Sequence, residues 1–214
     1  MRDESVHFDE EAQQWDQDPE KVERANIFAH EIVKFVHPNN SMKAIDFGCG
    51  TGLLSFSLRN NFGLIKLIDN SPGMISVLEE KVKENKIVNF QPLCADPLVE
   101  ELGLKDFDVV YSSMTIHHIH DLDKIMRIFN ASLKMGGYLC IADLVTEDGT
   151  FHSEHQEFDG HKGFDKEKFC IVLEKNGFQI EYYKIVFEIE KEVDDQIKKY
   201  PLFLVIGKKV NESN

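Results

Sequence analysis

One stretch constrains this chain more than any other: Ala44-Ile45-Asp46-Phe47-Gly48-Cys49-Gly50-Thr51-Gly52. An apolar run suited to a strand (42–47) ends in three alternating glycines, and helical spacing resumes near Leu53. Glycine lets the main chain turn sharply and approach a ligand with no side chain between. A strand that feeds a glycine turn and then a helix needs a parallel neighbour, reached by a crossover.

The rest of the chain supplies those neighbours. Apolar β-rich runs at 64–69, 88–95, 107–112 and 138–145 alternate with helical periodicity. Ser71-Pro72 reads as a helix start, a capping side chain followed by proline at the first helical position. Met74, Ile75, Leu78 and Val82 follow at helical spacing. Asp121 is placed to cap a helix buried through Ile125, Ile128, Phe129 and Leu133, with Gly136-Gly137 as its stop. Asp165 opens a further helix that Gly177 ends. Two strand-like segments close the chain, 180–189 and 202–208. In the first, Tyr183, Ile185, Phe187 and Ile189 alternate, and Pro201 falls in the connection to the second. Ahead of the first strand, Asp18-Pro19 caps a helix with Val22, Ala25, Ala29, Ile32 and Val33 apolar, and the residues before it read as a mobile arm. The fold class expected is therefore α/β: a doubly wound, seven-stranded, mostly parallel Rossmann-like sheet with an antiparallel C-terminal hairpin.

The 214 residues suffice for one such domain with a sizeable core. A net charge of −14, with no dense Lys/Arg cluster, argues against a nucleic-acid partner. No apolar run approaches the roughly 18 residues of a membrane span, and the acidic N-terminus lacks a signal-peptide core. Cys49, Cys94, Cys140 and Cys170 show no CxxC spacing, so neither a zinc site nor a redox motif is indicated. The default location is the cytoplasm, the nucleus remaining open, and the oligomeric state expected is monomer or homodimer.

Asp69 lies 21 positions after Gly48, at the end of the second strand. In doubly wound folds that position presents a carboxylate to the ribose of an adenosine. The geometry admits a dinucleotide or an adenosyl amino acid. The dinucleotide fingerprint needs a small residue where Leu53 stands. Asp46 would also oppose a pyrophosphate, whereas it suits an ammonium group. The charges favour S-adenosylmethionine over NAD.

At this point a family resemblance becomes specific. Residues 46–52 resemble the first motif of class I S-adenosylmethionine-dependent methyltransferases, with Asp69-Asn70-Ser71-Pro72-Gly73-Met74 similar to the second and Cys94-Ala95-Asp96 to the third. Phe107-Asp108-Val109-Val110 with His117-His118-Ile119 looks like the fourth strand and its loop. Leu133-Lys134-Met135-Gly136-Gly137 resembles the approach to strand five, with Met135 where proline is usual, and Asn176-Gly177-Phe178 the turn before the hairpin. The ordered set covers about residues 15–208, and its nearest look is to small metabolite-modifying type 11 or type 25 members. It implies a methyltransferase domain over 41–214, with an arm and helix over 1–40 as lid or cap.

The resemblance also implies roles. Gly48 and Gly50 would face the methionine part of the cofactor, Asp46 its ammonium, Asp69 with Asn70 the ribose, and Met74, Ala95 and Asp96 the adenine. Ser113 would offer its carbonyl to the ammonium. Bland readings stand beside these: Asp69 as a helix cap, Met74 as core filler, Asp96 as a turn residue. Trp15 is either a lid over the cofactor or an anchor for the arm. His117 and His118 are expected at the acceptor side, His118 as a base or as a structural histidine; His120 follows them. His152, His155 and His161 with Glu154, Glu157 and Asp159 carry ligand chemistry, but their irregular spacing predicts no metal. The activity implied is methyl transfer to a small-molecule acceptor, leaving S-adenosylhomocysteine. Rival readings are an NAD-dependent oxidoreductase, opposed by Leu53 and Asp46, a protein or RNA methyltransferase of the same fold, and a non-catalytic cofactor-binding protein. Ser112-Ser113-Met114-Thr115 replaces the N-P-P-Y-type tetrapeptide of amide and adenine N-methylation.

Overall fold

Asp18 carries the capping role that its sequence context predicts: its side chain accepts the N–H groups of Glu20 and Lys21. The computed structural model describes residues 4–153 and 158–212. In chain order it contains α1 (Glu4–Glu11), a 3-10 turn (Trp15–Gln17), α2 (Pro19–Val36), β1 (Lys43–Phe47), α3 (Leu53–Leu58), β2 (Leu64–Asp69), α4 (Pro72–Glu84) and β3 (Phe90–Cys94). There follow β4 (Phe107–Ser113), a 3-10 turn (Ile116–His118), α5 (Leu122–Ser132), β5 (Leu133–Leu144), α6 (Lys166–Lys175), β6 (Phe178–Val193) and β7 (Gln196–Lys209).

The strands form one seven-stranded sheet in the order β3-β2-β1-β4-β5-β7-β6. The first five are parallel, and β7 inserts antiparallel between β5 and β6. The chain winds outward from β1 to β3 and then crosses back to β4. The carboxyl ends of β1 and β4 thus form the switch point where open α/β sheets bind ligands. The sheet buries both faces. On one, Phe28, Ile32, Leu54, Leu58 and Leu78 from α2, α3 and α4 pack on Ala44, Ile65, Leu67 and Tyr111. On the other, Ile125, Met126, Phe129, Phe169 and Leu173 from α5 and α6 pack on Ile45, Ile68, Val110 and Ile141.

Several boundaries differ from the sequence reading. The residues ahead of α2 are not a loose arm: α1 is helical and held by side-chain latches described below. The third strand begins at Phe90, not at Val88, which is fully exposed; the Asn89 side chain instead donates to the carbonyls of Arg59 and Phe62 and turns the chain into the sheet. Gly136-Gly137 does not stop α5, which ends at Ser132. The glycines lie inside β5, where Leu133 faces Phe107 and Tyr138 faces Val109, so residues 134–137 bulge. The hairpin connection is Asp194-Asp195, both left-handed, and Pro201 sits within β7 opposite Glu188. Register shifts at Ile180/Tyr182 and Ile185/Phe187 break the alternation in β6. One extra residue reverses which side chains face the core, so Ile185 is exposed while Ile189 is buried. Among the described residues no helix is long and apolar enough to cross a membrane.

Candidate functional site

A cleft of ≈ 730 Å³ opens at the switch point, beneath the N-terminal arm. Its floor is the glycine loop. The N–H groups of Gly48 and Cys49 both donate to the carbonyl of Ile68, which docks the loop onto β2. The Gly50 N–H donates to Asp69 Oδ2 at 2.8 Å, and the Ser71 N–H to Asp69 Oδ1 at 2.9 Å. Burial pushes Asp69 above the usual carboxylate range, with the N–H groups of Ser71, Gly50 and Asn70 opposing. One carboxylate thus ties the loop to the start of α4 and lines the cleft. Gly50 is left-handed, and a Cβ added there would meet nothing closer than Met74 Sδ at 3.8 Å and Trp15 Nε1 at 4.0 Å. The space beside it is open cleft, with backbone for a wall.

Asp46 is buried at 2% exposure, and its Oδ2 accepts the Ser55 hydroxyl at 2.6 Å; that hydroxyl also lies 2.7 Å from Tyr111 Oη. Burial, with Asp69 adding, pushes Asp46 up to about 7, the Ser55 hydrogen bond opposing. A carboxylate so desolvated favours a bound cation. Arg24, on α2, lines the same cleft. Burial draws its guanidinium below the usual arginine range, against Glu20, Asp18 and Asp143. Among the described residues it makes no hydrogen bond or ion pair. A half-buried guanidinium hydrogen-bonded to none of the described residues is complementary to an anion. The donor set therefore suits a ligand bearing an ammonium, a carboxylate and a vicinal diol.

The remaining predicted residues fall as follows. Asn70, Met74, Ala95, Asp96 and Ser113 all line the cleft. Met74 is also buried core, capped into place by Ser71 Oγ on its N–H. Asp96 Oδ1 accepts the Leu98 N–H, so the turn role is present beside the cleft position. The Ser113 carbonyl accepts the Thr115 hydroxyl at 3.1 Å. Trp15 lies over the loop, with Lys21 Nζ 3.6 Å from its ring centre.

The arm is held by two acids that the sequence reading passed over. Asp9 Oδ1 accepts Ser71 Oγ and the Gly73 N–H. Asp16 accepts Thr51 Oγ1 and Lys81 Nζ, and Lys81 also donates to the Thr51 carbonyl at 2.8 Å. Both latches grip the segments that carry the first two motifs.

The other end of the cleft is aromatic and imidazole-rich. His117 is buried, with Nδ1 2.6 Å from Asp143 Oδ1. His118 lies edge-on to Phe8 and Phe158, and His152 stacks on Phe158. Ile189 and Lys191 reach in from the hairpin. His120 is instead exposed beside Asp159, and His161 Nε2 faces the Ile119 carbonyl, so these do not join the others. Glu154, His155 and Glu157 lie outside the described residues. Arg24 and Phe158 were missed, and His152 was named for its ligand chemistry without being placed in the cleft. For Arg24 a signal existed: it stands four residues before Phe28 and eight before Ile32, on the stripe that α2 buries.

Comparisons with known proteins identify the family to which the chain belongs. A family model described as "Methyltransferase domain" matches residues 38–195. An uncharacterized methyltransferase of Schizosaccharomyces pombe is 36% identical over 121 residues, 53% of this chain and 42% of that protein. Phosphoethanolamine N-methyltransferase 1 of Arabidopsis thaliana is 33% identical over 137 residues, 63% of this chain and 28% of that protein. The match thus spans less than half the length of these curated relatives. Among solved structures, a Haemonchus contortus phosphoethanolamine N-methyltransferase 2 complexed with phosphomonomethylethanolamine and S-adenosylhomocysteine superposes with TM-score 0.68. It is 19% identical, covering 86% of this chain and 52% of that one, a likeness of fold.

Proposed function

Because this chain belongs to the class I S-adenosylmethionine-dependent methyltransferases, we propose that it transfers a methyl group from that cofactor to a small-molecule acceptor. The observation that carries this reading is one cleft with two unlike ends. One end offers Asp46, Arg24, Gly50 and Asp69; the other is walled by aromatic rings and imidazoles. Its ≈ 730 Å³ falls within the range of small-ligand sites. That space suits the cofactor and a compact acceptor better than a folded protein or an RNA helix.

S-adenosylmethionine, when bound, supplies a methyl group already activated on a sulfonium. The chain's own residues then have to bind, align and keep water away. Asp46 holds the ammonium and Arg24 the carboxylate of the methionine part. Gly48 and Gly50 present backbone to it, with the Ser113 carbonyl close by. Asp69 and Asn70 hold the ribose, while Met74, Ala95 and Asp96 border the adenine. Trp15 and the arm (residues 1–40 with α2) close the cleft above the domain formed by 41–214. His117, buried on Asp143, orients the turn that presents His118 to the acceptor, and His118 receives a proton from an acceptor that carries one. The cytoplasm is the location we propose, the four cysteines being free thiols, with the protein acting as monomer or homodimer.

The test joins binding to turnover. Calorimetry with S-adenosylmethionine is expected to show one site, weakened at least about tenfold by Asp69→Ala, which removes a ribose acceptor of about 1.5–3 kcal/mol. Formation of S-adenosylhomocysteine is then followed across phosphobases, phenols, thiols and carboxylates, starting from phosphoethanolamine. Unchanged affinity in the variant contradicts the ribose contact. Binding without transfer to any class favours a non-catalytic cofactor-binding protein.

A further inference from the structure

We propose that His117, His118 and His152 form a binding site for a divalent transition metal at the acceptor end of the cleft, with Asp143 orienting His117. One coordination position would remain open to the acceptor. The ligand nitrogens of these residues all lie within 4.8 Å of one another. Their ring centres are 4.2, 5.2 and 5.5 Å apart. Imidazoles around a tetrahedral ion at zinc–nitrogen distance place their ring centres about 5 Å apart and their nitrogens about 3.4 Å apart. The observed ring separations bracket this spacing, and bringing the nitrogens from within 4.8 Å to the ion requires the rings to reorient.

Asp143 supplies the second reason. Its Oδ2 accepts the N–H groups of Ile116 and His117 at 3.0 and 3.3 Å, and its Oδ1 accepts the Leu144 N–H at 2.7 Å. A carboxylate surrounded by backbone donors acts as an acceptor toward the ring as well. His117 Nδ1 therefore donates to it, which leaves Nε2 with the ring's lone pair on a residue that lines the cleft. A ring N–H on a carboxylate, with the other nitrogen facing inward, is the usual support of a metal-bound histidine. Three imidazoles with a fourth position open form a ligand set that suits zinc and its first-row neighbours. With the metal bound, His118 acts as a ligand in place of the base role it has without metal, and the open position takes a Lewis-basic atom of the acceptor. That role rests on the methyl-transfer reading; the binding of the metal does not.

The test uses the full chain stripped with a chelator. Cobalt(II) titration is expected to give a tetrahedral visible band at one ion per chain, displaced by zinc(II), with elemental analysis fixing the stoichiometry. His118→Ala and His152→Ala, outside the hydrophobic core, are each expected to weaken zinc binding by more than about 100-fold. Asp143→Asn should weaken it by about 10–100-fold. Calorimetry with S-adenosylmethionine, run in parallel, should be unchanged in the two alanine variants. Absence of zinc binding, or zinc binding unchanged in both variants, overturns the site. So does binding of inorganic phosphate in place of zinc that the same variants lose, since the imidazoles would then form an anion cradle. Loss of cofactor binding in the unmodified chain would sink the methyl-transfer reading while leaving the metal result standing.

Discussion

At the scale of single residues, the cleft is organised by charges that the fold leaves uncompensated. Asp46 titrates near 7 where an unburied aspartate titrates near 3.8. The folded protein holds that proton across the window in which the unfolded chain releases it. The stabilisation from this group is full below 3.8 and is lost as pH rises through about 7. Asp46→Asn removes the window. Between pH 5.5 and 7 the stability of the natural protein should fall by about 2 kcal/mol relative to the variant, levelling above pH 8. Urea denaturation across that range measures it, and parallel pH profiles would refute the assignment. Most of this half of the site was legible because the loop's geometry dictates its residues: at 48 and 52 the left-handed backbone and the close approach of Thr115 and Leu78 call for glycine, and an acid at the end of β2 faces the loop. The acceptor half was not. His152 and Phe158 come from a segment with no periodicity, and nothing in the sequence aims them at His117.

At the scale of elements, the arm is the part whose role depends most on close approach. Gly73 opens α4 against α1, and an added Cβ there would lie 2.9 Å from Asp9 Cα, closer than such atoms come. Gly73→Ala should therefore unseat α1 while leaving the sheet intact. Hydrogen exchange is expected to accelerate across residues 4–17 and to stay unchanged in β1 and β4; equal protection of the arm in both proteins would argue against the latch. Helix starts were readable because a cap is a local bond: Asp18, Ser71, Asp121 and Asp165 each accept an N–H two or three residues on. The second strand also fell where its apolar run predicts. The arm and the bulged start of β5 were unreadable for the opposite reason. α1 lacks a strong apolar stripe and is held by Asp9, whose partners lie more than sixty residues away. Residues 134–137 take their shape from the register of β4.

At the scale of the whole molecule, the sheet separates two cores, and α2 couples one of them to the site. Phe28 is fully buried beneath Arg24 on that helix. Phe28→Ala should cost about 3–5 kcal/mol, read as a lower denaturant midpoint at unchanged slope; a loss under 1 kcal/mol would mean the helix packs otherwise. The last strand pair also runs past the sheet. Beyond Leu202 the segments 188–193 and 196–201 form a ladder with each other only, tied to the rest by the Val145 N–H on the Pro201 carbonyl and by side-chain bonds from Lys191, Lys198 and Tyr200 to residues 148–151. This overhang is where Ile189 and Lys191 enter the cleft. Its tip can be rewritten in length and composition with little disturbance to the ladder that carries the donor-side machinery. Preference for one partner molecule over another is thus free to drift, over generations or by design, on a scaffold whose grip on the nucleoside stays fixed.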